Sequence, residues 1–445
     1  MVNMGTVSTQ VSEYNKNPYG EVVSTSAHDD FAMKTPKATN REAALSALLG
    51  MGRYRRALVT IGQILMLYGQ QGWRYPEKAH LHQKSAEKLA ALCERNGVTW
   101  IKAAQFFSNR PDILPPEYLH AFQRLQDTVA PVPFADISKQ LAKTWGTDWS
   151  SQFKHFSHKP VATASIAQVH KAQLLTGDWV AVKVLLPDVR KIFNQDRQVF
   201  EWAARIIKPL VKEIDAVQVV GQLLATTQKE LDFKHEAKHH IAFYQCEHMA
   251  GIRVPRLYHD LCTSRVLVTE WVDGERLRDV LSAQPDKAKP LLQRLFVSYL
   301  QQVTEFGLFQ ADPHPGNFLV DHQDNIVILD FGAMGVLQAA ETSAYQALFS
   351  GLIQNNLSDE ELLALFQQAG FVGGKAQSLR ELSGYMLTNR LAKESTWESA
   401  QNIMRQLRAD KVHIPDSYVG ISRVLITLGG LLQLYEVLPP WQEAQ

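Results

Sequence analysis

The stretch that most constrains this chain runs from Gly307 to Gly332, GLFQADPHPGNFLVDHQDNIVILDFG. It carries Asp312 and Asn317 on one turn-rich loop, then Asp330-Phe331-Gly332 at the end of the run Ile326-Val327-Ile328-Leu329. That run is short, apolar and rich in β-branched residues, which predicts a buried strand. Two carboxylates and an amide oxygen in this order are the donor set that phosphoryl transfer requires. One carboxylate faces an acceptor hydroxyl, while the amide oxygen and the second carboxylate hold Mg²⁺ on nucleotide phosphates. A turn-rich loop before an ordinary strand would explain either half alone. It does not explain both at this separation.

Such a site needs a nucleotide-gripping half, and the sequence supplies one upstream. Val180-Ala181-Val182-Lys183 is similar to the Val-Ala-Ile-Lys strand of protein kinases, whose lysine reaches the α- and β-phosphates. Strand alternation puts Ala181 and Lys183 on one face, with Val180 and Val182 on the other. Ahead of it, Val161-Ala162-Thr163-Ala164-Ser165 stands where a kinase carries its glycine-rich phosphate loop. Lys183 needs a carboxylate partner on the following helix, and Glu230-Leu231-Asp232-Phe233-Lys234-His235-Glu236 offers three. Glu236 is assigned to it, because Glu230 and Asp232 form a separate acidic pair one to two turns earlier. His235-Glu236-Ala237-Lys238-His239 also matches H-E-x-x-H, but zinc would need a third ligand that His240 and His248 do not obviously supply. Gly373-Gly374-Lys375-Ala376 fails as a phosphate loop, with Ala369 at its first glycine and Ala376 at its Mg²⁺-binding hydroxyl.

Composition narrows the setting. With 46 basic and 45 acidic residues in 445, the net charge of +1 gives no footprint for nucleic acid. Cys93, Cys246 and Cys262 are sparse and unpaired in spacing, which points to a reducing compartment. Residues 1–40 are polar and read as a disordered tail. Residues 41–130 read as a helical extension: Lys84 to Asn109 has helical periodicity, Arg110-Pro111-Asp112 breaks it, and Pro115-Pro116 opens a helix to Gln126. Pro131-Val132-Pro133 is a linker. Residues 131–275 form a unit with a Gln168–Leu174 and Trp179–Leu185 hairpin, two long helices from Pro187 to Glu247, and a strand from Arg265 to Trp271. Residues 276–445 are mostly helical. No uninterrupted apolar window is long enough to span a membrane, since Arg423, Gln433 and Glu436 break Val419–Leu438. The basic, amphipathic stretch Arg41–Trp73 suits either packing on its own domain or lying on a membrane surface.

Four features together make the chain resemble the UbiB (AarF/ADCK) family of atypical kinases. They are the segment Trp100-Ile101-Lys102-Ala103-Ala104-Gln105, similar to the family's Lys-x-Gly-Gln hallmark; the alanine-rich loop Ala162–Ser165; Glu230/Asp232 with Glu236 after them; and the loop Ala311-Asp312-Pro313-His314-Pro315-Gly316-Asn317. The resemblance covers Arg41 to the C-terminus. It implies an α+β, two-lobed protein-kinase-like fold, with a small β-sheet N-lobe carrying inserted helices, a mostly helical C-lobe and an N-terminal helical extension.

The resemblance also implies roles. Asp312 would be catalytic, with Lys183 and Glu236 as its ion-paired support, and Asn317 and Asp330 would hold Mg²⁺. Ala162, Thr163, Ala164, Ser165, Ala181, Lys183 and Glu270 would contact ATP. Lys102 and Gln105, with Glu230 and Asp232, would form a regulatory set over the active site. The expected partners are the nucleotide and an isoprenoid or quinone lipid, or the enzymes that make one. The expected activity is ATP hydrolysis, or phosphate transfer to a small or lipid-like acceptor, in a cytoplasmic protein peripheral to the inner face of a membrane. A small-metabolite phosphotransferase and a nucleotide-sensing scaffold are the alternatives. Three positions depart from the family pattern: Ala104 replaces a glycine, Thr163 interrupts the alanines, and His239 stands where the family often has Asn.

Overall fold

Valines alternate with Ala181 and Lys183 along one strand, and that alternation builds the N-lobe. In the computed structural model, Val180, Val182 and Val184 are fully buried on one face of β4 (Trp179–Leu185), while Ala181 and Lys183 look out from the other. The structure describes residues 79–108, 114–126, 131–208, 215–354, 357–387, 405–407 and 409–443, with Gly52, Arg55, Val59, Met66 and Ile403. The polar tail, most of the Arg41–Trp73 stretch and the Arg110–Asp112 break lie outside the described residues.

Three helices come first: α1 (Ala79–Asn96), α2 (Val98–Ser108) and α3 (Pro116–Gln123). The helical run expected from Lys84 is split at Gly97, whose φ of +81° suits glycine and ends α1. Their shared core includes Trp100, Ile101, Ala104 and Phe122, and Trp100 packs against Phe200 with ring centroids 4.9 Å apart. Ala104 is 1% exposed, so the methyl that replaces the hallmark glycine fills space in this core.

Helix α4 (Phe134–Trp145) leads into the N-lobe sheet, in strand order β1 (Phe153–Phe156), β3 (Ala167–Leu174), β4, β6 (Val266–Glu270), with β2 (Ala162–Thr163) also on β3. Lys183 sits opposite Val169 on one side and Leu267 on the other. The expected two long helices are three: α5 (Val189–Ile207), α6 (Ala216–Glu230) and α7 (Phe233–Tyr244). The extra break falls at Asp232, whose carboxylate caps α7 by accepting the Lys234 N–H at 3.0 Å.

The mostly helical C-lobe also carries short strands, the one expected before Asp330 among them. Four short strands, β5 (Ile252–Arg253), β7 (Gly274–Arg276), β9 (Phe318–Asp321) and β10 (Ile326–Ile328), form a sheet in the order β5–β10–β9–β7. A second ladder joins β8 (Leu308–Gln310) to β11 (Met334–Val336). Around them pack α8 (Leu277–Ala283), α9 (Ala288–Gln301), α10 (Ala339–Gln354), α11 (Asp359–Gln368), α12 (Ala376–Leu387) and α13 (Asp416–Leu434). Helix α9 ends in a π-turn, Gln302–Phe306, closed by Gly307 at φ +62°. Helix α13 is long and apolar enough to cross a membrane by length and composition, yet Tyr418, Ile421, Val424, Leu425, Leu428 and Leu432 bury one face of it in the C-lobe core.

Candidate active site

The two lobes meet at Lys183. Its Nζ lies 2.6 Å from Glu236 Oε1 and 3.9 Å from Asp330 Oδ2, so one ammonium ties the sheet, helix α7 and the end of β10 together. Burial works against that charge, but the carboxylates of Asp330 and Glu236 outweigh it and hold the lysine above its usual pKa. Asp330 shows the reverse balance. Enclosure alone would raise its pKa, yet the Lys183 ammonium and the Gly332 N–H, which donates to Oδ1 at 2.8 Å, keep it below the ordinary aspartate value. The lysine is held charged and the aspartate ionised.

Packing fixes both partners. Phe331 is fully buried, and its ring lies 4.2 Å from the His240 ring and 5.5 Å from that of Phe243, both on α7. The helix that carries Glu236 is thus seated on the residue next to Asp330. The Glu236 of the H-E-x-x-H pattern is committed to Lys183, while His235 is exposed to solvent.

Asp312 and Asn317 share the loop after β8. The Asn317 amide nitrogen donates to the Asp312 carbonyl at 3.0 Å, and the Asn317 carbonyl accepts the Leu329 N–H at 3.0 Å, one residue before Asp330. The implied Mg²⁺ can be tested against this donor set. Asp330 keeps Oδ2 after Oδ1 is used by Gly332, and Asn317 keeps its amide oxygen after its nitrogen is used by Asp312. Two hard oxygen donors, one ionised, fit Mg²⁺.

Two groups absent from the sequence reading complete the site. Arg423, on α13, donates through Nη2 to Asp312 Oδ1 at 3.0 Å. Beneath Asp330 lies a buried amide network. Gln310 Nε2 donates to the Asp330 carbonyl at 2.7 Å, its main-chain N–H donates to Gln302 Oε1 at 3.0 Å, and its Oε1 accepts the Tyr299 hydroxyl. The only signal for the network was a polar residue inside Leu308-Phe309-Gln310. For Arg423 it was the one basic residue in an apolar helix, read simply as an interruption.

The remaining expected residues fall in three places. Ala162 and Thr163 form β2 and pair with Val169 and Gln168, while Ala164 closes a turn by donating to Ala167 at 2.8 Å and Ser165 is buried. Ala181 shares the Lys183 face. Glu270 does not turn its carboxylate to that face: Arg253 holds one oxygen, and the Arg256 N–H donates to the other at 3.1 Å. A nucleotide contact through the Glu270 side chain is therefore set aside. Of the regulatory set, Lys102 Nζ lies 2.6 Å from Glu230 Oε2, and its charge also feels Asp330 and Asp312. Gln105 lies on the same helix, α2. Asp232 acts as the α7 cap and makes no ion pair with Lys102.

A lysine–glutamate pair across a small sheet and a helix, facing an aspartate–asparagine loop and an Asp-Phe-Gly turn, defines a protein-kinase-like protein. The family model for the ABC1 atypical kinase-like domain matches residues 124–360, and the chain belongs to that ABC1/AarF (UbiB) family of atypical kinases. It is 29% identical over 382 residues to an uncharacterised Clostridium pasteurianum protein from the hydrogenase 1 5′ region, covering 84% of this chain and 66% of that one. It is 30% identical over 369 residues to the Xenopus laevis AarF domain-containing protein kinase 1, covering 80% of this chain and 68% of the other. An Arabidopsis thaliana chloroplastic aarF domain-containing protein kinase is 35% identical over 255 residues, 56% of this chain and 36% of its own length. The chain thus spans from about a third to two thirds of the length of these curated relatives. Among solved structures, Mycobacterium tuberculosis Rv3197 in complex with erythromycin superposes with a TM-score of 0.56 at 24% identity, covering 82% of this chain and 96% of that one. That likeness gives the fold, which is the two-lobed one expected.

Proposed function

We propose that this protein binds Mg²⁺–ATP between its lobes and either hydrolyses it or transfers the γ-phosphoryl group to a small or lipid-like hydroxyl acceptor. The observation that carries this reading is the placement of Lys183 Nζ within 2.6 Å of Glu236 and 3.9 Å of Asp330. That arrangement holds a cation for the phosphates beside an ionised metal ligand. Asn317 and Asp330 would hold Mg²⁺, which supplies neutralisation of phosphate charge when bound. Asp312 orients the acceptor hydroxyl or water and takes its proton. A small acceptor is favoured over a peptide because Lys102, paired to Glu230, brings the N-terminal extension within electrostatic reach of Asp312 and Asp330.

The pathway we propose is ubiquinone or isoprenoid-lipid metabolism, with peripheral contact at the inner face of a membrane. The basic, amphipathic Arg41–Trp73 stretch and the family resemblance support this. The test is ATP hydrolysis by the purified protein, with and without liposomes or quinone-like phenols, beside Asp312→Asn and Asp330→Asn. The expected outcome is stimulation by one of these additives and loss of turnover in both variants. Unchanged hydrolysis in both variants refutes the catalytic assignment.

A further inference from the structure

The cations of the cleft are not equivalent. Lys102 and Lys183 each sit 2.6 Å from a carboxylate, with side chains only 21% and 20% exposed. Arg423 differs. It touches Asp312 through a single Nη2 contact of 3.0 Å, and the two side chains stay 34% and 43% exposed. A guanidinium can grip a carboxylate with two parallel bonds, and here it makes one. A one-point pair open to solvent is readily exchanged for another anion.

The position of Arg423 is nevertheless fixed. Helix α13 is pinned by its buried face, by the Tyr345 hydroxyl 3.0 Å from Ser417 Oγ, and by close approach to β8. A Cβ on Gly420 would lie 3.2 Å from the Phe309 ring. The backbone is therefore anchored, while the guanidinium reaches the carboxylate that an acceptor hydroxyl must meet.

We propose that Arg423 selects an acceptor bearing an anionic group beside its hydroxyl, and that this anion draws the guanidinium off Asp312 as the acceptor binds. The inference rests on the phosphoryl-transfer reading of Asp312. The acceptor oxygen bonds to the γ-phosphorus of ATP as the bond from that phosphorus to the bridging oxygen breaks. The electron pair leaves with ADP, and the hydroxyl proton passes to the Asp312 carboxylate that Arg423 has released. Without such an acceptor, Asp312 stays paired and turnover of ATP stays low.

The experiment uses the full chain and a matched pair of probes, glycerol 3-phosphate and glycerol, with inorganic phosphate as the anion alone. ADP release and the phosphorylated product are followed in wild type, Arg423→Gln, Arg423→Lys and Asp312→Asn, with melting curves to show that each is folded. In wild type, glycerol 3-phosphate is expected to be preferred over glycerol by roughly tenfold or more in kcat/KM. Arg423→Gln should raise turnover without acceptor and lose that preference, and Arg423→Lys should keep part of it. A wild type that prefers glycerol or answers to neither probe overturns the proposal, and so does an Arg423→Gln variant that still discriminates. Full turnover in Asp312→Asn refutes the underlying transfer reading instead, whatever the Arg423 variants do.

Discussion

Lys102 and Glu230 close an ion pair 2.6 Å long between helix α2 and the last residue of α6. Both side chains are about four-fifths buried, so removing one partner strands a charge in poorly solvated surroundings. Lys102→Ala is expected to cost about 1–3 kcal/mol, and adding Glu230→Ala should restore part of it. Urea unfolding of the four members of this cycle measures the coupling. Strictly additive effects would mean that the pair does not fasten the extension.

Glu236 is only 5% exposed, and Lys183 supplies its charge partner. Lys183→Met should therefore destabilise the fold by about 3 kcal/mol while removing the proposed phosphate contact. Lys183→Met/Glu236→Gln should regain most of the stability and none of the nucleotide affinity. Comparing chemical unfolding with binding of a fluorescent ATP analogue separates the two effects.

Gln310 is 1% exposed and serves Tyr299, Gln302 and the Asp330 carbonyl together. Gln310→Ala leaves buried polar groups without partners, an expected loss of about 2 kcal/mol. It should also weaken nucleotide binding in Mg²⁺ more than in EDTA, because it loosens the main chain at a proposed metal ligand. Equal weakening in both buffers would count against this positioning role.

Acid should destabilise the protein well above the carboxylate range. Burial pushes His240 down to about 4, while its ring Nε2 lies 2.6 Å from the Pro255 carbonyl. The unfolded chain binds this proton near pH 6.5, so between pH 6.5 and 4 it holds more protons than the folded one. Stability therefore falls as pH falls through that window, by about 2 kcal/mol between pH 7 and 5 from this residue alone. Burial also lowers His170, His239 and His248, which act in the same sense. Melting temperature against pH checks this, and a flat profile from pH 7 to 5 refutes it.

The residues around which the fold turns were legible because their chemistry dictates their order in the chain. Lys183 followed from its likeness to the Val-Ala-Ile-Lys strand, Glu236 from the carboxylate such a lysine needs, although it sits on the third helix after β4 and not the following one, and Asp330 from the strand before it. Apart from β10, the short C-lobe strands were not legible, since three or four residues such as Met334–Val336 are too few to establish a two-residue period. The break at Asp232 was hidden because its carboxylate read as part of an acidic motif, whereas it caps α7. Arg423 was invisible for another reason. Its partner Asp312 lies far away in sequence, and periodicity along α13 gives no view of what the helix faces.

The bond from the Leu329 N–H to the Asn317 carbonyl sets the gauge between the two proposed metal ligands, and it belongs wholly to the main chain. Any side chain at 329 leaves it in place except proline, which has no N–H to give. Position 329 is also 37% exposed, so packing constrains its side chain less than it does the fully buried strand residues before it. The spacing of the ligands is thus insulated from almost every single substitution at the residue that enforces it. A site built this way can drift in sequence around the proposed metal while the ruler between the ligands stays the same length.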